Sequence, residues 1–337
     1  MASKDKYPAH GMHLQMRQIT HQAEKINSFE MVNPDGEDLP EFTAGAHIDF
    51  FFRDGSVRQY SLCNDPKERH RYVIAILRDD KGRGGSLALH ERLHVQRTVS
   101  IGKPRNNFPV HEEAKHHLLL AGGIGVTPMM SMIHHFQSTG AEYTLHYCTR
   151  SKEHTAFQYE FADLITEGRV IIHHDDGIPG NGLDLKTLLK DHSSGTHLYY
   201  CGPPGFMRAV KGFSAHWPDD TVHLEYFTAA ASPKTTMSDE EKSHAGDEAL
   251  GIGFQVKIAS SGAIFSVPNH KSIVQVLGEN GIDIEVSCQS GLCRTCAVKY
   301  LEGEVDHKDL VLSESDRSQY MTPCCSRAKS KLIVLDL

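Results

Sequence analysis

Five cysteines near the C-terminus have the types and spacing to do chemistry: Cys288, Cys293 and Cys296, then a long gap to the adjacent Cys324 and Cys325. Thiolate is a soft ligand suited to iron–sulfur clusters. C-x4-C-x2-C…C is the ligand spacing of plant-type [2Fe-2S] centres. Two irons need two thiolates each, so one of Cys324 and Cys325 completes the set and the other is spare. A structural zinc site shows two C-x2-C pairs, and only one stands here, which disfavours zinc. Gly291 permits close backbone approach. Ser287, Ser290 and Thr295 place short polar groups beside the cysteines, where hydrogen bonds to sulfur tune reduction potential. A centre of this kind moves single electrons, so the chain is an electron carrier by this reading. Disulfides would need an oxidising compartment. Met1 to Met12 is polar and has no apolar signal-peptide core, so a cytoplasmic protein with reduced thiols is expected. Cys63, Cys148 and Cys201 stand singly and read as buried small apolar residues.

A second group of residues suits phosphates and a planar cofactor. Arg58-Gln59-Tyr60-Ser61 offers a guanidinium fork for phosphate, an aromatic ring to stack and a hydroxyl for a ring nitrogen. Gly82-Arg83-Gly84-Gly85-Ser86 leads into a helix, and a helix N-terminus favours an anion. Ala121-Gly122-Gly123-Ile124-Gly125-Val126-Thr127-Pro128 reads as a strand end, a tight turn and a new helix, with Thr127 as N-cap and Pro128 at N1. Tyr200-Cys201-Gly202-Pro203-Pro204-Gly205-Phe206-Met207 repeats the arrangement. Any one of these turns alone could be structural; two strand-end turns in one alternating segment point to a ligand.

The elements that must position these groups fall into three blocks, as 337 residues allow. Residues 1–110 read as short strands (Met12–Ile19, Ile26–Val32, His47–Phe52, Val57–Leu62, Arg71–Leu77, Arg97–Ile101) with one helix at Leu87–Leu93, a small antiparallel barrel. Residues 111–228 alternate strands (His117–Ala121, Tyr143–Cys148, Val170–His174, His197–Cys201, Thr221–Leu224) with helices (Pro128–Phe136, Ala156–Ile165, Leu185–Asp191, Gly205–Ala215). That pattern predicts a parallel sheet covered by helices, with ligands at the carboxyl ends of its strands. Residues 229–250 are small, polar and acidic, the composition of a linker. Residues 251–337 give a hairpin around Ser260–Gly262, a helix at Ser272–Glu279 and strands at Ala297–Leu301 and Lys331–Leu335, an α+β β-grasp domain around the cysteines. The formal charge of −8 disfavours nucleic acid. No apolar run approaches the ~18 residues of a membrane span. The 23 histidines show no metal-site spacing and are expected mostly at the surface.

Taken together, the barrel, R-x-Y-S, G-G-S, G-G-x-G-x-T-P, C-G-P-P and a C-terminal plant-type ferredoxin segment resemble the phthalate dioxygenase reductase family over essentially the whole chain. Vanillate demethylase reductases share that layout. The resemblance implies an FMN barrel, an NAD-binding α/β domain and a [2Fe-2S] ferredoxin domain in an NADH-dependent oxidoreductase serving a separate Rieske-type oxygenase as a monomer. It implies that Arg58 and Arg83, Gly84, Gly85 and Ser86 hold the FMN phosphate, with Gln59 in the same motif. Tyr60 would pack on the flavin, Ser61 would lie near N5, and the backbone of Ala75, Ile76 and Leu77 would edge the ring. Thr127, beside Gly122 and Gly123, would sit where flavin and nicotinamide meet. Cys201, Gly202, Pro204 and Met207 would line the nicotinamide side, Thr149 and Arg150 would face the adenine ribose, and Phe227 would cover the flavin. In the family's C-V-S-R ending the cysteine is the ligand, which selects Cys324 beside Cys288, Cys293 and Cys296. Arg150 and Ser151 could also accept the 2′-phosphate of NADPH; NADH is expected on resemblance. The partner's substrate is expected to be phthalate or another aromatic carboxylate, with vanillate- or carnitine-type oxygenases as alternatives. A stand-alone NAD(P)H:acceptor reductase is the rival enzyme. An inert scaffold carrying a ferredoxin is the rival non-enzyme, and the glycine-rich turns argue against it.

Overall fold

The computed structural model describes residues 11–53, 56–82, 84–227, 253–269, 271–286, 291 and 294–337. Arg83, the 229–250 segment, Ser287, Cys288, Ser290 and Cys293 lie outside the described residues. The chain divides into two compact units, Met1–Phe227 and Thr228–Leu337.

The first unit begins with β1 (Met12–Ala23), β2 (Ile26–Val32), β3 (His47–Phe51), β4 (Val57–Ser61), β5 (Tyr72–Leu77), α1 (Gly85–Arg92) and β6 (Thr98–Ile101). The strands form an antiparallel sheet in the order β4-β3-β6-β1-β2-β5. An antiparallel bridge between Leu62 and Ile74 joins its two edges into a barrel, which removes exposed strand edges. Inside pack Leu14, Met16, Phe29, Met31, Ile48, Phe50, Tyr72, Ile74 and Ile101. β1 runs past the expected Ile19 because its pairing with β2 continues to Ala23↔Ile26.

The same unit continues through β7 (His116–Gly122), α2 (Thr127–Thr139), β8 (Tyr143–Thr149), α3 (Ala162–Thr166), β9 (Val170–His174), α4 (Leu185–Leu188), β10 (Thr196–Cys201), α5 (Pro204–Phe213) and β11 (Val222–Glu225). These strands are parallel, in the order β11-β10-β7-β8-β9. One face buries Leu119, Tyr147 and Tyr199 against Met129, Ile133 and Phe136 of α2. The other buries Leu118, Leu198 and Tyr200 against Met207, Val210 and Trp217. The first core also takes in Ala44, Cys63, Ala75 and Phe108, and the Gly45 N–H donates to Ser131 Oγ of α2 at 3.0 Å. Barrel and sheet therefore share apolar packing, and the expected boundary at 110/111 falls inside one unit.

Three local expectations are corrected. Thr127 is the first helical residue rather than the N-cap; a single 3-10 turn over Gly123–Val126 precedes it, and its hydroxyl donates back to the Ile124 carbonyl at 3.1 Å. The helix expected from Ala156 begins only at Ala162, because buried Phe157 sits at φ 61°, which no right-handed helix accommodates. α4 ends at Leu188 instead of Asp191.

The second unit holds β12 (Phe254–Ile258), β13 (Ile264–Val267), β14 (Val298–Glu302), β15 (Val305–Asp306), β16 (Tyr320–Met321), β17 (Arg327–Ala328) and β18 (Leu332–Leu335). Its main sheet is mixed, in the order β13-β12-β18-β14-β16, with β12 and β18 parallel. The helix Ile273–Glu279 opens on a capping box between Ser272 and Gln275 and packs Ile273 and Leu277 onto Val256, Ile258 and Ile333. This is the expected β-grasp arrangement.

Candidate cofactor sites

In the second unit, Cys296 and Cys324 are buried, and Cys325 is partly so. Cys324 is pushed well above the ordinary thiol range, first by its hydrogen bond with Cys296, then by Cys325 and burial. Sulfurs this close resist joint deprotonation unless a metal supplies positive charge. Gly291 has φ 72°; a Cβ there would stand 2.6 Å from Cys325 Sγ and 2.8 Å from Asp309 Cα. Only glycine lets the loop pass so close to the cysteines. Buried Asp309 accepts from the Leu312 N–H at 3.0 Å, and the Leu310 N–H donates to the Gly291 carbonyl at 3.0 Å. Cys325 Sγ lies 3.2 Å from Thr322 Oγ1. Soft thiols around a glycine-bounded loop fit an iron–sulfur centre.

In the parallel sheet, strand order reverses between β7 and β10, which run to opposite sides, and ligands bind outside the carboxyl ends at such a switch point. Both glycine-rich turns leave the sheet there. A Cβ on Gly125 would stand 2.2 Å from the Cys201 carbonyl oxygen, and one on Gly202 would stand 3.0 Å from Gly122 Cα. The two turns are thus packed backbone against backbone. Gly123, at φ 52°, has open space where a Cβ would be. Thr149, at the end of β8, is buried and bonds Thr155 Oγ1 at 2.8 Å, while Arg150 beside it is exposed. Pro204 is exposed. Cys201 and Met207 are fully buried. Burial, then Glu225, pushes the Cys201 thiol well above its ordinary range. The Met207 side chain lies in the core with Leu118 and Tyr200.

On the barrel, a Cβ on Gly85 would stand 3.2 Å from Arg58 Nε, so the two phosphate-type motifs meet. Gly84 enters α1 at φ 83°, and no side chain caps that helix. Such uncapped N–H groups suit an anion. Ser86 Oγ accepts from the Asp79 N–H at 3.0 Å. Tyr60 meets Phe50 edge-on with ring centroids 6.3 Å apart. Ala75 and Ile76 are buried, whereas Leu77 is exposed.

Strand alternation puts Gln59 and Ser61 on the other side of β4, where a polar network gathers. Arg105 pairs with Asp49 Oδ2 at 2.6 Å, and Gln59 Nε2 reaches Asp49 Oδ1 at 3.2 Å and His47 Nε2 at 3.0 Å. Ser61 Oγ donates to Glu225 Oε2 at 3.0 Å, joining the end of β4 to the end of β11. Burial raises the Glu225 carboxyl to about 7. Burial, then Arg105, lowers His47 to about 4. His47 Nδ1, 3.9 Å from Glu225 Oε1, has no hydrogen-bond partner among the described residues. Phe227, at 36% exposure, stands two residues beyond Glu225. Sequence reasoning missed Glu225 and His47. Glu225 falls two residues before the aromatic it did select, but its burial belongs to the fold and leaves no mark in the sequence.

The matching family models are a 2Fe-2S iron-sulfur cluster binding domain over residues 256–329 and the N-terminal domain of dimethylamine monooxygenase subunit DmmA-like proteins over residues 103–217. The chain is 56% identical over 332 residues to a tert-butanol monooxygenase / tert-amyl alcohol desaturase reductase subunit of Aquincola tertiaricarbonis, covering 98% of each. It is 39% identical over 319 residues to a phthalate 4,5-dioxygenase oxygenase reductase subunit of Pseudomonas putida, covering 94% of each. Among solved structures it is similar to phthalate dioxygenase reductase, described as a modular structure for electron transfer from pyridine nucleotides to [2Fe-2S]. That match has a TM-score of 0.72 and 38% identity, and covers 97% of this chain and 98% of the other.

Proposed function

The chain belongs to the phthalate dioxygenase reductase family, and on that premise we propose that it is the reductase subunit of a two-component Rieske-type oxygenase, carrying electrons from NADH through FMN to a [2Fe-2S] cluster. The observation that carries this reading is the meeting of four motifs from distant parts of the sequence. The two glycine turns pack together at the switch point, and Ser61 of the barrel bonds Glu225 at the same sheet edge. When bound, FMN would convert the electron pair of NADH into the single electrons a [2Fe-2S] cluster accepts.

The chain's own residues supply position and protons. Arg58 and the 83–86 loop hold the flavin phosphate, with the uncapped N–H groups of α1 behind it. Tyr60 and Phe227 flank the ring, and the backbone of Ala75, Ile76 and Leu77 edges it. Gly122, Gly123, Gly202 and Pro204 admit the dinucleotide, while Cys201, Met207 and Thr127 shape the turns from within. Thr149 and Arg150 meet the ribose. Ser61 relays a proton held on Glu225, whose carboxyl titrates near neutrality. Cys288, Cys293, Cys296 and Cys324 ligate the cluster. A cytoplasmic setting fits reduced thiols and NADH.

The relative at 56% identity serves an oxygenase named for tertiary alcohols, whereas the aromatic-acid relative stands at 39%. We take a small branched alcohol as the first substrate class to test for the partner oxygenase. Purified protein would be mixed with the tertiary-alcohol oxygenase or the phthalate oxygenase, and NADH-dependent product formation measured. Faster turnover of tert-butanol supports this reading; efficient turnover with phthalate alone overturns the substrate class and keeps the reductase assignment. No NADH oxidation with any acceptor overturns both.

A further inference from the structure

The histidines show no ligand spacing in the sequence, yet the fold gathers three of them. His111 precedes β7, His197 lies on β10 and His223 on the sheet-edge strand β11, and one ring nitrogen from each lies within 4.8 Å of the other two. His197 Nδ1 and His223 Nε2 are hydrogen-bonded at 2.9 Å. The His111 and His223 rings stack with centroids 4.4 Å apart. Tyr199 stands opposite His223 in the strand pairing, so His197, two residues earlier, shares its face. The backbone of His111 is pinned on both sides: its N–H donates to Tyr199 Oη at 2.9 Å, and its carbonyl bonds His117 Nε2 at 3.1 Å. His117 has both ring nitrogens beside backbone carbonyls, Nδ1 3.2 Å from that of Glu142, and is not counted in the group.

We propose that His111, His197 and His223 form a binding site for one divalent transition-metal ion of borderline softness, with Zn(II) the first candidate. Imidazole nitrogen suits zinc, copper and nickel, and three histidines with a fourth position open to water are a working zinc donor set. The ring that donates the His197–His223 hydrogen bond needs only to change tautomer to face an ion. His111 is exposed and the other two are partly so, which leaves an entry path. The site is distinct from the cofactor edge: His197 lies four residues before Cys201, about 13 Å along an extended strand. It shares β11 with Glu225, so an occupying ion would fasten the sheet-edge strand that carries that carboxylate.

The test is equilibrium dialysis of the intact holoprotein against Zn(II), with cluster absorbance followed throughout and a melting curve taken with and without zinc. The wild type should bind one ion per chain and melt at a higher temperature with zinc present. His111→Ala, which alters an exposed side chain, and His223→Gln, which keeps much of its volume, should each weaken binding at least about tenfold and lose the zinc-dependent rise. His146→Ala, in the separate pair joined by the 3.0 Å His146–His173 hydrogen bond, should bind as the wild type does. Wild-type binding by His111→Ala and His223→Gln would overturn the proposal. So would loss of binding in His146→Ala instead, or zinc uptake that bleaches the cluster.

Discussion

At the scale of single residues, Glu225 sets a pH dependence whose sign can be worked out. Its folded value of about 7 lies above the ordinary 4.5. Between those values the folded protein holds a proton that the unfolded chain has released, so stability is present below pH 4.5 and is lost as pH rises through 7. The loss is on the order of 3 kcal/mol, at about 1.4 kcal/mol per pH unit. Glu225→Gln should flatten that limb, measured as urea midpoints between pH 5 and 8. His47 acts in the opposite sense: its folded value of about 4 lies below 6.5, so its contribution is lost as pH falls through that window, and the variant keeps this acid limb. The adjacent cysteines give a second prediction. Cys324→Ser should abolish the EPR signal of a reduced cluster, whereas Cys325→Ala should retain it. The presence of a 2Fe-2S domain was legible in the sequence because cluster ligation demands a residue type at a fixed spacing. The Ser61–Glu225 bond and the three-histidine group were not, because each joins positions that only the fold brings together.

At the scale of elements, the strands were legible and most helix starts fell within two residues of the reading, but the start of α3 did not. The strands of the parallel sheet need apolar runs that alternate with helices, which residues such as Leu118–Leu120 and Tyr143–Tyr147 display. Phe157 looks like an ordinary helical apolar residue, but it sits in a left-handed conformation, buried in the core with its ring 6.5 Å from that of Phe161. Thr127 and Pro128 look like a cap and N1, but the chain enters α2 through a tighter turn that begins at Gly123. The cost of disturbing that turn can be estimated. In Gly125→Ala the new Cβ would meet the Cys201 carbonyl oxygen at 2.2 Å, backbone against backbone. Overpacking of this kind costs about 1–3 kcal/mol or more. Urea unfolding should show that loss, and NADH affinity should fall with it as the two turns separate.

At the scale of the whole molecule, chemistry divides between the units. Unit one takes electrons in pairs from a nucleotide; unit two, with its cysteines, releases them singly. Cys293→Ser should therefore leave NADH-dependent ferricyanide reduction within about twofold, a change under 0.5 kcal/mol in barrier, while cytochrome c reduction is lost. Persisting cytochrome c turnover would show that the cluster is not the exit. The order of domains was legible in composition, since the acidic 229–250 segment interrupts every apolar pattern. The joint between barrel and sheet was not. A fragment of residues 1–227 should fold and oxidise NADH, whereas 111–227 alone should aggregate, because it bares the α2 face that Ala44, Cys63 and Phe108 cover.

That shared core also constrains descent. Gly45 backs onto the Phe108 carbonyl and gives its N–H to Ser131, so a gene that exchanged its nucleotide half at position 110 would inherit a barrel cut for another helix. Recombination at that point is costly, and the two halves are bound to drift as one lineage. Change is left to exposed positions such as Arg150, which lie outside the common core and can vary without renegotiating it.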